Sequence, residues 1–161
     1  MTTNPTATGE PITDHALFVE ARKKSPDGQM GLFARTAFRT GARILAFFPE
    51  NMYTEPTRET VQIDVLHHIS LQPKVLQYTN HSCDPNIFFD TSLMQIIALK
   101  DIAEGDELCF FYPATEWNMS EPFPCNCGSA DCLGEIRGAA YLSPAVSATY
   151  QLNTFISERI K

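Results

Sequence analysis

The segment Cys125-Asn126-Cys127-Gly128-Ser129-Ala130-Asp131-Cys132 carries three thiols within eight residues. Thiols so close along the chain pair poorly with one another as disulfides. As thiolates they can surround one tetrahedral zinc, which needs a fourth ligand. Gly128 permits a sharp bend after the second cysteine. Cys83, in Asn80-His81-Ser82-Cys83, is the candidate fourth ligand. A zinc held by Cys83, Cys125, Cys127 and Cys132 would tie a late segment to the middle of the chain, so that binding energy becomes folding energy. The competing reading is a set of buried or reactive free thiols. The fifth cysteine, Cys109, sits in an apolar stretch and reads as a small core residue. His67 and His68 are neighbours, which point to opposite faces of a strand and read as structural.

These groups must be positioned by short, mostly β elements. Gly28, Gly31 and Gly41 punctuate the first half and bound the apolar stretches Leu32-Phe33-Ala34 and Ile44-Leu45-Ala46-Phe47-Phe48. Residues 60–65, 68–72, 86–90, 94–99 and 107–112 are rich in Ile, Phe and Leu, lie between turn residues, and predict further strands. Only the C-terminus predicts a helix. Ser143-Pro144 makes an N-cap with proline at the first helical position, and Val146, Tyr150, Phe155, Ile156 and Ile160 fall roughly on one face. That face would pack on the domain, cover a cleft or form a symmetric homodimer contact. Residues 1–14, Thr-rich with Pro5, Gly9 and Pro11, read as a disordered tail.

A chain of 161 residues builds one domain with a sizeable core rather than two. No run is long enough for a membrane span, so no membrane association is expected. The first fourteen residues contain no lysine, arginine or apolar stretch and resemble neither a signal peptide nor a presequence. An intracellular, cytoplasmic or nuclear setting is therefore expected, where cysteines serve metals better than disulfides. Arg22-Lys23-Lys24 is too short to read as a nuclear signal. The formal charge of -7 argues against direct binding of nucleic-acid phosphates. No Gly-rich strand-turn-helix motif announces a dinucleotide site. Asn80-His81-Ser82 and Asn118-Met119-Ser120 match the glycosylation sequon by chance in a chain without a secretory signal.

Three segments and the cysteine run, in order, resemble the SET-domain methyltransferase family. Gly31-Leu32-Phe33-Ala34, with the turn from Phe38 to Ile44, is similar to its glycine-containing opening strand. Asn80-His81-Ser82-Cys83-Asp84-Pro85-Asn86 is a near-verbatim match to its central signature, and Gly105 to Tyr112 looks like the segment ending in its catalytic tyrosine. The cysteine run stands where the post-SET zinc segment belongs. The resemblance spans residues 28–138. It implies small β-sheets with a knot-like crossing of the central signature and the catalytic segment: a SET domain over residues 15–116, a zinc-bound post-SET segment over 117–140 and a C-terminal helix over 141–161. It further implies S-adenosylmethionine as cofactor, held by backbone at Gly31, Leu32 and Phe33 and at Asn80 and His81, with Leu133 covering the adenine. Tyr112 is implied as the catalytic residue, the zinc being structural.

Methyl transfer from a sulfonium is an in-line displacement, so positioning dominates. A lysine acceptor must arrive neutral despite an ordinary pKa of about 10.4, which a narrow apolar channel favours. A tyrosine hydroxyl can orient the nitrogen lone pair. The chain departs from the family pattern mainly near the acceptor: Phe47 stands for a common tyrosine, Pro49 for glycine, Gln77 for arginine and Phe111 for aspartate. Gly28 comes one residue earlier than usual. Phe110 occupies a position that varies between phenylalanine and tyrosine, where phenylalanine goes with room for more than one methyl group. The expected acceptor is a protein lysine, with Phe47, Phe110 and Phe111 in its pocket. The apolar exchanges also fit a small-molecule O- or N-acceptor, and a non-catalytic zinc-bound interaction module is the third reading, since fold does not fix substrate.

Overall fold

A computed structural model describes residues 15–26 and 28–160. The tail expected at residues 1–14 lies outside the described residues. In chain order the elements are α1 (His15–Phe18), β1 (Val19–Lys23), β2 (Met30–Ala34), β3 (Arg43–Ala46), β4 (Phe48–Tyr53), β5 (Val61–Gln62) and β6 (His68–Gln72). They continue with β7 (Asn80–His81), β8 (Ile87–Asp90), β9 (Gln95–Ala98), β10 (Glu107–Phe110), β11 (Phe123–Pro124), β12 (Glu135–Ile136), α2 (Pro144–Ser147) and α3 (Thr154–Ser157). The mostly β expectation holds, and no helix among the described residues is long and apolar enough to cross a membrane.

The strands form four small sheets, ordered β1-β2-β10-β7, β3-β9-β8, β4-β6-β5 and β11-β12. β8 and β9 make a hairpin because two short runs rich in Ile and Phe are closed by a loop that Asp90 caps, accepting from Ser92 and Leu93 N–H (both 3.0 Å). Leu32, Phe47, Ile69, Leu76, Ile87, Phe89, Ile96 and Leu108, all but inaccessible, join the three larger sheets into one core. Burying each such side chain contributes about 1.5–3 kcal/mol.

Two boundaries differ from expectation for visible reasons. The strand expected over 107–112 ends at Phe110, and Tyr112 opens a 3₁₀ turn, Tyr112–Ala114. Pro113 has no N–H to continue the ladder. The strand expected over 60–65 shrinks to Val61–Gln62, since Asp64 bonds the Leu66 and His67 N–H groups (both 2.8 Å) and turns the chain back into β6. β4 escaped notice because Phe48-Pro49-Glu50-Asn51-Met52-Tyr53 has no apolar alternation; it is an exposed edge strand, where proline is tolerated.

The C-terminal segment is helical where expected, but in two short pieces. Asn153 interrupts them. Its backbone is extended and its buried side chain donates to Phe89 O and Ala114 O (both 2.8 Å) while accepting from Thr91 N–H (2.9 Å) and Oγ1 (3.0 Å). Satisfying four groups, on β8, on Thr91 just after it and on the Tyr112 turn, outweighs one more turn of helix. Asn153→Ala should cost about 3 kcal/mol, because buried partners are left unpaired. A lower urea midpoint with unchanged m-value is the expected readout.

Candidate functional site

The four sulfurs of Cys83, Cys125, Cys127 and Cys132 lie within 4.8 Å of one another, and none is in a disulfide. Cys83 follows β7, while the other three lie on the loop between β11 and β12. Gly128 takes φ +79 at the expected bend. The Cys83 and Cys125 sulfurs are 3.9 Å apart, close to the edge of roughly 3.8 Å that a tetrahedron with metal–sulfur bonds of about 2.3 Å requires. Leu133 N–H points at the Cys83 sulfur (3.4 Å). Burial, and beyond it the crowding of neighbouring sulfurs, holds the Cys83 thiol above its ordinary range against that hydrogen bond. Four thiols so close could ionise together only around a cation. The donor set therefore fits a four-coordinate metal. Cys109 stands apart on β10, its thiol pushed up to about 12 by burial.

β7 pairs in parallel with β10, setting Asn80 opposite Cys109 and His81 opposite Phe110. β10 pairs in turn with β2, with Leu108 opposite Leu32 and Glu107 opposite Phe33. One sheet thus carries Gly31, Leu32, Phe33, Asn80 and His81 and delivers Tyr112 from its end. The Asn80 side chain donates to Met30 O (2.8 Å) and to Glu107 Oε1 (3.0 Å). Gly31 packs under the Lys24–Glu107 ion pair, where an added Cβ would lie 2.8 Å from Glu107 Oε1. Leu32 is inaccessible, and the Phe33 ring is covered by the Arg22 guanidinium at 4.1 Å.

His81 joins the cysteine cluster to the segment that ends at Tyr112. Its Nδ1 accepts from Tyr112 N–H (3.1 Å) and its Nε2 lies 3.3 Å from the Cys83 sulfur. Burial lowers its pKa to about 4, keeping an imidazole able to accept. The Tyr112 hydroxyl donates to Thr79 O (2.8 Å). Burial also pushes that hydroxyl well above the usual tyrosine range, so it stays protonated.

The three phenylalanines divide. Phe110 lies beside Tyr112 (ring centroids 4.7 Å) and Phe89 (4.5 Å), and Phe47 reaches the same group through Phe89 (5.3 Å). Phe111, just past the end of β10 and still extended, points to the other side and stacks on Tyr150 at 3.6 Å with planes 4° apart. The Tyr150 hydroxyl donates to Cys83 O (2.7 Å). The C-terminal segment therefore braces both the central signature and the residue before Tyr112. Sequence reasoning missed Thr79 and read Tyr150 only as part of a helix face. A backbone acceptor leaves no mark in residue type, and Tyr150 meets its partner 67 residues away.

The sequence profile of the SET domain matches residues 29–113. Methyltransferase flvH of Aspergillus flavus is 45% identical over 85 residues, 52% of this chain and 48% of that protein. The H3 lysine-36 specific histone-lysine N-methyltransferase of Aspergillus oryzae is 38% identical over 68 residues, 38% of this chain and 7% of that one. The chain thus matches about half the length of the first relative and a small part of the second. Among solved structures, KRYPTONITE in complex with mCHG DNA and SAH superposes with TM-score 0.57 at 18% identity, over 73% of this chain and 29% of that one. The methyltransferase domain of human Histone-lysine N-methyltransferase SETMAR gives 0.56 at 17%, over 75% and 58%. A profile match over more than half of the residues, on a fold these structures share, makes this chain a member of the SET-domain family.

Proposed function

We propose that this chain is a methyltransferase that uses S-adenosylmethionine to methylate a protein lysine side chain, with a structural zinc on Cys83, Cys125, Cys127 and Cys132. The observation that carries this reading is the Tyr112 hydroxyl: half-buried, protonated, bonded to Thr79 O and held beside Phe110. Relatives named as histone-lysine N-methyltransferases support the acceptor class. S-adenosylmethionine would be held by the backbone of Gly31, Leu32 and Phe33 and by Asn80 and His81, with Leu133 helping to cover it, and when bound would supply an activated methyl group.

The protein's own part is to bind, orient and exclude water. Phe110, backed by Phe89 and Phe47, gives the acceptor an apolar approach that disfavours a charged amine. The Tyr112 oxygen and Thr79 carbonyl are two acceptors with which an incoming N–H can align, which sets the direction of the nitrogen lone pair. Phe111 shapes this region from behind through its stack on Tyr150. A small-molecule acceptor is the second reading. It is favoured by the match to methyltransferase flvH, whose name specifies no histone or lysine acceptor and which is wider and higher in identity than the match to the Aspergillus oryzae histone-lysine enzyme.

The test is label transfer from methyl-labelled S-adenosylmethionine into a host lysate, followed by separation of macromolecules from small solutes. Label on protein, mapped to lysine, is the expected result. Label confined to small solutes replaces the lysine reading with the metabolite one. No label in either fraction removes the enzymatic reading.

A further inference from the structure

Methyl transfer as described makes no use of Glu116, yet it is the only buried carboxylate among the described residues. It sits on the turn that carries Tyr112, and its backbone N–H donates to Tyr112 O (2.9 Å). Its Oε1 accepts from the Gln62 backbone N–H on β5 (2.9 Å), and the Thr115 hydroxyl is 3.3 Å away. Gln62 returns the contact: its side-chain oxygen accepts from Trp117 N–H (3.0 Å), while its Nε2 is spent on Asp64 O (2.9 Å). Backbone of each segment is thus held by a side chain of the other. This reciprocal clasp joins the β4-β6-β5 sheet to the Tyr112 turn. On its far side, Glu116 Oε2 faces His68 Nδ1 at 4.0 Å, and that buried nitrogen has no hydrogen-bond partner.

We infer that Glu116 is a positioning residue for Tyr112, its carboxyl clasped on Gln62 setting the seat of the Tyr112 turn on the β4-β6-β5 sheet, and that a proton exchanged with the Glu116–His68 gap tunes this seat. The inference rests on the reading of Tyr112 as the catalytic residue. Burial lifts the Glu116 carboxyl to about 7 against the hydrogen bonds from Gln62 and Thr115, and burial lowers His68 below its usual range. The gap therefore changes protonation near neutrality. A protonated Glu116 can donate to His68 Nδ1 and close the gap. An ionised one leaves Oε2 without that bond and accepts more strongly from Gln62. Around His68 stand Glu55, Asp64 and His67; around the Tyr112 hydroxyl stand Cys109, Arg58, Glu116 and Glu107.

The test is carbon-13 tyrosine NMR of the full chain, with Tyr112 assigned by its absence in Tyr112→Phe. In the unaltered protein the Tyr112 ring signal should move between pH 6 and 8 with a midpoint near 7, the value to which Glu116 is lifted. In Glu116→Gln, which keeps an oxygen for Gln62 N–H, the signal should stay at one position across that range. Glu116→Ala should displace it at every pH and lower turnover about tenfold at unchanged cofactor affinity, as a small misplacement of an orienting group does. A Tyr112 signal that ignores pH, or the same titration persisting in Glu116→Gln, overturns the inference. If the titration appears and Glu116→Gln abolishes it while no label is ever transferred, the clasp stands and the methyl-transfer reading falls.

Discussion

Tyr112→Phe should lower turnover by about 100-fold or more and leave S-adenosylmethionine affinity within about twofold. The substitution removes one oxygen, the one 2.8 Å from Thr79 O, and keeps the ring that packs against Phe110, His81 and Phe123. The backbone N–H that bonds His81 is also kept, so the central signature holds its place. Folding should lose only about 1 kcal/mol, the net worth of one hydrogen bond. Turnover from label transfer, set beside cofactor affinity from calorimetry, separates a chemical loss from a binding loss. Unaltered turnover would falsify the role given to Tyr112. Because burial holds the hydroxyl above the ordinary tyrosine range, its ionisation should leave no step in the pH–rate profile near neutrality. A rate that changes with pH there would report the acceptor amine or the Glu116 carboxyl instead, and Glu116→Gln separates the two.

The metal prediction has a wider reach in the fold. The purified chain should carry one zinc, and Cys127→Ser or a strong chelator should release it. Apparent binding energies of structural zinc are about 10–16 kcal/mol in small peptides, so even a fraction of that is large for this domain. A fall in melting temperature of at least about 10 °C is expected, several kcal/mol at the scale proper to this size. The damage should spread along a definite route. Cys83 takes the Leu133 N–H at its sulfur and the Tyr150 hydroxyl at its carbonyl, and His81 Nε2 lies against the same sulfur. Releasing the metal therefore loosens residues 123–136, the C-terminal segment and the acceptor of Tyr112 N–H together. Amide exchange should rise there first, while the β8–β9 hairpin keeps its protection. A metal-free Cys127→Ser protein that is stable and active would sink the assignment.

Much of this was legible in residue types because the chemistry is local. Cys125, Cys127 and Cys132 are candidate ligands by spacing, their sulfurs do gather with that of Cys83, and the glycine among them bends the loop as expected. The Asn80 to Asn86 signature and the stretch ending at Tyr112 carry the family resemblance in residue types alone, and the profile match agrees. The hairpin strands were visible because apolar runs between turn residues suit a half-buried sheet. β4 was not, because an exposed edge strand has no buried face to write a pattern. The single C-terminal helix was expected from a stripe of apolar residues, and the stripe does reach the core through Ile156. Its interruption depends on Asn153 finding partners on Phe89, Thr91 and Ala114, which are remote in sequence.

Residue identity thus specified which groups can bind a metal, which tyrosine ends the signature and which segments are apolar. Those properties belong to a side chain and its near neighbours. Tertiary packing chose the rest: Thr79 O as partner of the Tyr112 hydroxyl, Phe111 turned onto Tyr150 while Phe110 faces Tyr112, and Glu116 buried against Gln62 and His68. Backbone carbonyls look alike in every residue, and burial of a carboxylate is a property of what surrounds it. Such roles come into being only when distant segments meet.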